Sequence, residues 1–385
     1  MDVYVKTQGA RIMKEGRHLL VKKGDGIYKT LFTYKLKQLI LFGNIEITHS
    51  AMCQLMKNDI DVVFLTKNGR YLGRIASPES KNVFLHRKQY LIIDDLSFSV
   101  RFSKSVVLGK LSNMATFLMR IKRGRKSPEA GNCAREIMNL FKRVEETDNV
   151  DSLRGYEGKG SASYFRGLPY GFIEKQEFTK RVRRPPTDPV NSVLSLLYTF
   201  LMNRVYAAVR VAGLDPYPGF LHKIDYGRYS LVLDLMEEFR TIIADTLTLS
   251  LFNLKILKDS DFIREIPAGN TCGESVKDVL PDVTRDALGA ISRLPDNFEL
   301  FDVPEQRMDE TAVSDERITG KYPVRLTQDA MTKVIDAFER KMTTTFFHAP
   351  AERELTYTEA LIYQAGHCRK VLEGEADIYQ PILLK

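Results

Sequence analysis

The segment TDPVNSVLSLLYTFLMNRVYAAVRVAG, residues 187–213, constrains the fold more than any other part of the chain. Asp188 suits an N-cap, Pro189 the first helical position, where its missing N–H costs nothing, and Gly213 a left-handed stop. Between these ends Val193, Leu196, Leu197, Phe200, Leu201 and Ala208 make a broad apolar face, so this helix belongs in a core and other elements must pack around it. With 385 residues, 44% of them hydrophobic and 28% charged, the chain can supply them, and its length suggests two or three domains. No apolar run approaches the roughly 20 residues of a membrane span. The start, MDVYVKTQGA, lacks the basic-then-apolar layout of a signal peptide. We therefore expect a soluble cytoplasmic protein with no membrane partner.

Hydrophobic periodicity divides the chain. The first hundred residues alternate short apolar runs with turn signals: DVYV, HLLVKKGDG, QLILFGN, VVFLTKNGRYLGRI and NVFLHRKQYLI. Val62, Val63, Phe64 and Leu65 ahead of Lys67, Asn68 and Gly69 predict a strand entering a hairpin. From about residue 105, as in SVVLGKLSNMATFLMRIKR, the period becomes helical. The expected fold is α+β and multidomain: a small N-terminal β-strand-rich domain, residues 1–100, then a larger, mainly α-helical domain, residues 101–385. The strands of the first domain carry no acidic-histidine set, which suits a dimerisation or scaffold unit. Cys53, Cys133, Cys272 and Cys368 lie far apart with no CxxC pair, indicating neither a zinc knuckle nor a disulfide framework; they read as buried free thiols.

Net charge is +9 over residues 1–105, +7 over 106–255 and −8 over 256–385. Such asymmetry fits a face that neutralises a polyanion, although a solubility surplus gives the same sums. The run KRVRRPPTDP, with Arg181, Arg183 and Arg184, is the first choice for phosphate contact, and RIKRGRK, residues 120–126, the second; a solvated surface is the alternative for both.

The segment GFLHKIDYGRYSLVLDLMEEFR, residues 219–240, places His222 in a loop ahead of a helix expected over roughly 229–252. Asp234, Glu237 and Glu238 share a face of that helix by their spacing. Carboxylates on an otherwise apolar helix must pair with a cation, for which Arg228 and Arg240 are at hand, or lie exposed, or hold a metal. His222 is open to two readings, a satisfied loop histidine or a ligand. Upstream, GYEGKGSASYFRG puts Glu157 at or just before a helix start among small residues that leave room for close approach.

These stretches together resemble the CRISPR-associated integrase-endonuclease, the first of the Cas proteins and the catalytic subunit of spacer acquisition. AGLDPYPGFLH followed by SLVLDLMEEFR is similar to that family's most specific signature, and Glu157, Gly158, Ser161, Ala162, Tyr164 and Phe165 match its upstream one. LFGNIEITHSA, IDVVFLTKNGRYLGRI and KNVFLHRKQY look like its N-terminal β domain, and YPVRLTQDAMTKVIDAFERKM resumes the likeness further on. Residues of about 265–320 depart from it, forming a longer and more acidic insertion than similar proteins carry.

The resemblance implies that the larger domain is catalytic and that Glu157, His222 and Glu237 hold a divalent ion, Mg²⁺ or Mn²⁺. Many members carry Asp in place of Glu237, and Asp234 matches a supporting acidic position. It further implies attack of a 3′-hydroxyl of a short DNA fragment, the prespacer, on a backbone phosphate of a CRISPR repeat. With water as nucleophile, the same site is a nuclease. His222 is then either a ligand or a proton donor to the leaving oxygen. A homodimer and a small second Cas protein bridging two dimers are the implied partners, beside DNA. Two other classes remain open on the residues alone: a stand-alone metal-dependent nuclease for branched DNA or repair intermediates, and a non-catalytic DNA-binding protein whose carboxylates are ion pairs.

Overall fold

A computed structural model describes residues 2–24, 26–67, 71–75, 82–182, 185–264 and 322–384. Strands come first: β1 (Asp2–Val5), β2 (Arg11–Glu15), β3 (His18–Lys23), β4 (Gly26–Phe32), β5 (Gln38–Phe42), β6 (Glu46–Ile47), β7 (Asp61–Leu65) and β8 (Tyr71–Ile75), with helix α1 (His49–Lys57) between β6 and β7. They form two four-stranded sheets, in the orders β4-β3-β2-β6 and β1-β5-β7-β8. β7 pairs antiparallel with β8, as the hairpin expectation required, while Asn68 and Gly69 lie outside the described residues.

The second sheet is covered on both faces, which explains why β5 reads QLILF without polar alternation. Leu39 and Leu41 join a small core with Val3, Ile12, Leu19 and Leu31, whereas Ile40 and Phe42, together with Val63 and Leu65, join the large helical core. Polar bonds reinforce this docking: Arg74 donates to Asn203 at 2.9 Å, Arg210 pairs with Asp61 at 2.7 Å, and Tyr4 donates to Glu339 at 2.5 Å.

The helical part starts earlier than its periodicity predicts. NVFLHRKQYLI is helix α2 (Val83–Ile93), not a strand; Leu85 and Gln89 face inward one turn apart, and Gln89 bonds the backbone of Asp215 in both directions. Then follow α3 (Leu96–Arg125), α4 (Pro128–Met138), α5 (Phe141–Glu146), α6 (Val150–Gly167), α7 (Pro189–Val211), α8 (Ser230–Phe239) and α9 (Thr246–Asn253). A π-helical turn, Arg240–Asp245, joins α8 to α9. Hairpin β9 (Phe262–Arg264) with β10 (Val324–Leu326) brackets residues 265–321. The acidic insertion and Cys272 thus lie outside the described residues. Helix α10 (Gln328–Thr343), hairpin β11 (Thr345–His348) with β12 (Arg353–Thr356), and α11 (Tyr357–Glu373) complete the chain. Cys53, Cys133 and Cys368 are free thiols, the last two buried and Cys53 half-buried.

Helix α7 has the predicted ends: Asp188 accepts from the Asn191 N–H at 2.9 Å, Pro189 is its first residue, and Gly213 lies at φ +75°. By length and composition it is apolar enough to cross a membrane, which the sequence reading did not expect, and 78% of its apolar window is buried inside the protein.

Candidate active site

Four elements meet at one small cleft. α3 contributes Lys110, α6 contributes Glu157, α8 contributes Glu237, and the loop between α7 and α8 contributes His222. Two glycines permit the approach. A Cβ on Gly160 would lie 2.2 Å from Leu111 Cδ2, so its absence lets α6 sit close against α3. One on Gly219 would meet the backbone of Ser230 and Leu231 at 2.6–2.8 Å, so only glycine lets the His222 loop lie on the start of α8.

Asp234 fixes that loop. Its Oδ2 accepts the N–H groups of Phe220 and Leu221 at 2.6 and 3.0 Å, and its Oδ1 accepts the N–H of His222 at 2.9 Å and lies 2.6 Å from Nδ1. A carboxylate only accepts, so Nδ1 donates to it, and Nε2 is turned toward Glu237 Oε1, 3.8 Å away. Arg154 holds the loop from the other side, donating to Leu221 O at 2.7 Å.

The two glutamates share one cation. Lys110 Nζ donates to Glu157 Oε1, which also accepts from Ser161 Oγ at 2.8 Å, and Nζ lies 2.5 Å from Glu237 Oε2. Arg240 Nε lies 3.1 Å from the same Glu237 oxygen. Burial alone would raise the Glu237 carboxyl, but Arg240, Lys110 and His222 outweigh it and hold it down at about 2. Around this lie Tyr198, whose ring sits under Arg240 at 4.7 Å, and Asp245, which accepts the hydroxyls of Tyr164 and Tyr198 at 2.8 and 2.7 Å. Burial pushes Asp245 upward against those hydrogen bonds.

The structure thus brings Glu157, His222, Glu237 and Asp234 together. Glu157 lies in the middle of α6 rather than at its start; of its small neighbours, Gly160 serves packing against α3, while Gly155 and Gly158 face open space. Glu238 faces away from its expected companions: its carboxylate accepts from Tyr379, Gln364 and the Ile382 N–H, anchoring the C-terminal segment. Burial raises it to about 7. Arg181 lines the cleft, bonded to Asn191 and Ser195 at 2.9 and 3.1 Å, while Arg183 and Arg184 lie outside the described residues. Lys110 and Ser161 had not been assigned roles. The signal for Lys110 was a lysine set among Val106, Val107, Leu111 and Met114 on the buried face of α3.

Among the described residues no three His, Cys, Asp or Glu side chains are grouped so as to hold an ion as they stand, and the Lys110 ammonium contacts both carboxylates. The donor set nevertheless fits a divalent ion. Two carboxylates and an imidazole of fixed tautomer converge where a cation is already accommodated.

The family model for CRISPR associated protein Cas1 matches residues 3–277. The chain belongs to the Cas1 family. It is 29% identical over 387 residues to a CRISPR-associated endonuclease Cas1 of Thermus thermophilus, with 100% of this chain and 97% of that protein covered. It is 36% identical over 275 residues to a Cas1 endonuclease of Rhodospirillum rubrum, with 68% and 78% covered. The fold is similar to a Cas1 protein from Thermotoga maritima (TM-score 0.71, 18% identity, 98% of this chain and 99% of that one). It is also similar to a casposase bound to its integration product (TM-score 0.75, 18% identity, 98% and 92%). Within a longer chain of a Cas6-RT-Cas1–Cas2 complex, it matches 36% of the length at TM-score 0.75 and 22% identity, with 99% of this chain covered. The strand-rich N-terminal part followed by a helical part is consistent with these Cas1 neighbours.

Proposed function

We propose that this chain is a metal-dependent DNA integrase and endonuclease that inserts prespacers into a CRISPR repeat array, a 3′-hydroxyl attacking a backbone phosphodiester. The observation that carries this reading is the meeting of Glu157 and Glu237 on Lys110, with His222 beside Glu237, at a cleft whose lining also includes Arg181 and Arg240. Glu157, Glu237 and His222 Nε2 are the groups that would hold Mg²⁺ or Mn²⁺. Such an ion, when bound, supplies Lewis-acid polarisation of a phosphoryl oxygen. The rest falls to the chain's own residues. Arg181 and Arg240 offset the charge that a phosphate brings and that grows as it reacts. Asp234 keeps the His222 ring in one tautomer and orientation.

The names of the relatives support an endonuclease, and the casposase and Cas1–Cas2 likenesses support DNA as substrate and a small second Cas protein as partner. The protein works as a homodimer in the cytoplasm, with residues 1–100 as the dimerisation and scaffold unit and residues 101–385 as the catalytic unit. The test is a labelled prespacer incubated with Mn²⁺ and a supercoiled repeat plasmid, with and without the small partner. Joining of the 3′ end to the plasmid is expected. Cleavage of branched DNA without joining supports a stand-alone nuclease instead, and metal-independent binding alone a non-catalytic protein.

A further inference from the structure

We propose that Lys110 is a built-in counter-ion occupying the place the divalent ion takes, and that metal loading displaces its ammonium into the cleft toward the substrate phosphate. This rests on the metal reading above and concerns how that same site is held before the ion arrives. Lys110 is 6% exposed, in the middle of α3, and its Nζ contacts Glu157 Oε1 and Glu237 Oε2 from two different helices. Two buried carboxylates this close need a cation beside them, and Lys110 contacts both.

The charge count gives the consequence. In the metal-free cluster Lys110 and Arg240 match Glu157 and Glu237 in charge, with the Asp234 carboxylate beside His222. A divalent ion on the same two oxygens would face an ammonium at contact distance, and like charges cannot share those lone pairs. Lys110 has four methylenes on which to swing, and the cleft it already lines runs on past Ser161, His222 and Arg181. Once it has moved, the ion has added two positive charges to the cluster, and the displaced ammonium lies free beside it. An empty site therefore attracts DNA phosphate weakly and a loaded one strongly, so ion and phosphate binding are coupled.

The experiment uses the full-length protein with Mn²⁺ alone, without DNA. Amine acylation followed by peptide mass spectrometry reads the reactivity of Lys110, and calorimetric titration reads Mn²⁺ affinity for wild type, Lys110→Met, Lys110→Arg and Glu237→Gln. Lys110 is expected to be shielded without metal and to label several-fold faster with it. Lys110→Met, which keeps most of the apolar stem, should bind Mn²⁺ about tenfold more tightly or better, because the competing ammonium holds the open form to roughly a tenth or less. Lys110→Arg keeps a cation in place and should gain nothing. Lys110 equally shielded in protein that does bind Mn²⁺ overturns the proposal and leaves the metal site standing. Wild type that binds no Mn²⁺, or binds it as Glu237→Gln does, overturns the metal reading and this inference with it.

Discussion

The carboxylate of Asp234 and the imidazole of His222, 2.6 Å apart and both buried, form the joint between the α8 helix and the loop that precedes it. One side chain thereby holds three backbone N–H groups and the ring of a candidate ligand. Asp234→Asn keeps an acceptor for the loop but sets an amide N–H₂ against Nδ1 or gives up a backbone bond. We expect strand transfer to fall by about 10–100-fold, the usual cost of a lost ligand-orienting partner, with little change in DNA affinity. Single-turnover rates beside gel-shift titrations check this.

Gly219 makes the same joint possible from the backbone side. Gly219→Ala places a methyl against main-chain atoms that cannot rotate away, so the loop must lift. The expected result is a loss of about 1–3 kcal/mol in urea unfolding, as for other overpacked sites, together with lost strand transfer. An alanine variant with wild-type activity would show that the loop has other ways to seat His222.

Glu238 gives a pH signature. Its carboxyl is raised to about 7 from an ordinary value near 4.5, so the folded state binds this proton more tightly than the unfolded one. Its contribution is fully present below pH 4.5 and is lost as pH rises to about 7, roughly 3 kcal/mol across that window. Glu237 works in the opposite sense and at lower pH, since its carboxyl is held at about 2. Glu238→Gln should therefore flatten the fall in melting temperature between pH 4.5 and 7; an unchanged slope in the variant assigns the fall to other groups.

Arg181 lines the cleft with its guanidinium 5.4 Å from the Tyr198 ring, and the proposed function gives it one phosphate contact and no base reading. Arg181→Ala should weaken binding of all DNA sequences alike and lower the slope of log affinity against log salt by about 1. Affinity measured at three salt concentrations on two unrelated duplexes decides it.

Much of this was legible in the sequence because it is local. The ends of α7 are set by Asp188, Pro189 and Gly213 within the helix itself, and β7 declares itself by its own side chains. His222, Asp234 and Glu237 lie within sixteen residues of each other, so spacing could bring them together. What escaped depends on distant chain. Lys110 meets Glu157 across 47 positions, and no period reveals that encounter. Glu238 reads as a companion of Glu237, yet the C-terminal residues Tyr379 and Ile382 draw its carboxylate to the other side of α8. The same distance hid an electrostatic point: besides Arg240, which the sequence offered as a partner, Glu237 meets Lys110 from a helix far off in the chain. Glu237→Ala is accordingly expected to destabilise the metal-free protein, by about 3 kcal/mol, because it leaves buried cations without their partner.

The central claim is that Glu157, His222 and Glu237 act as one metal-holding set. The most direct measurement is strand transfer of a labelled prespacer into a repeat plasmid by Glu157→Ala, His222→Ala and Glu237→Ala, each folded by circular dichroism and assayed in Mn²⁺ beside its DNA affinity. The account predicts that all three lose strand transfer while DNA affinity stays within a few fold, since affinity comes from distributed phosphate contacts. A folded Glu237→Ala protein that still joins DNA ends in Mn²⁺ would contradict it.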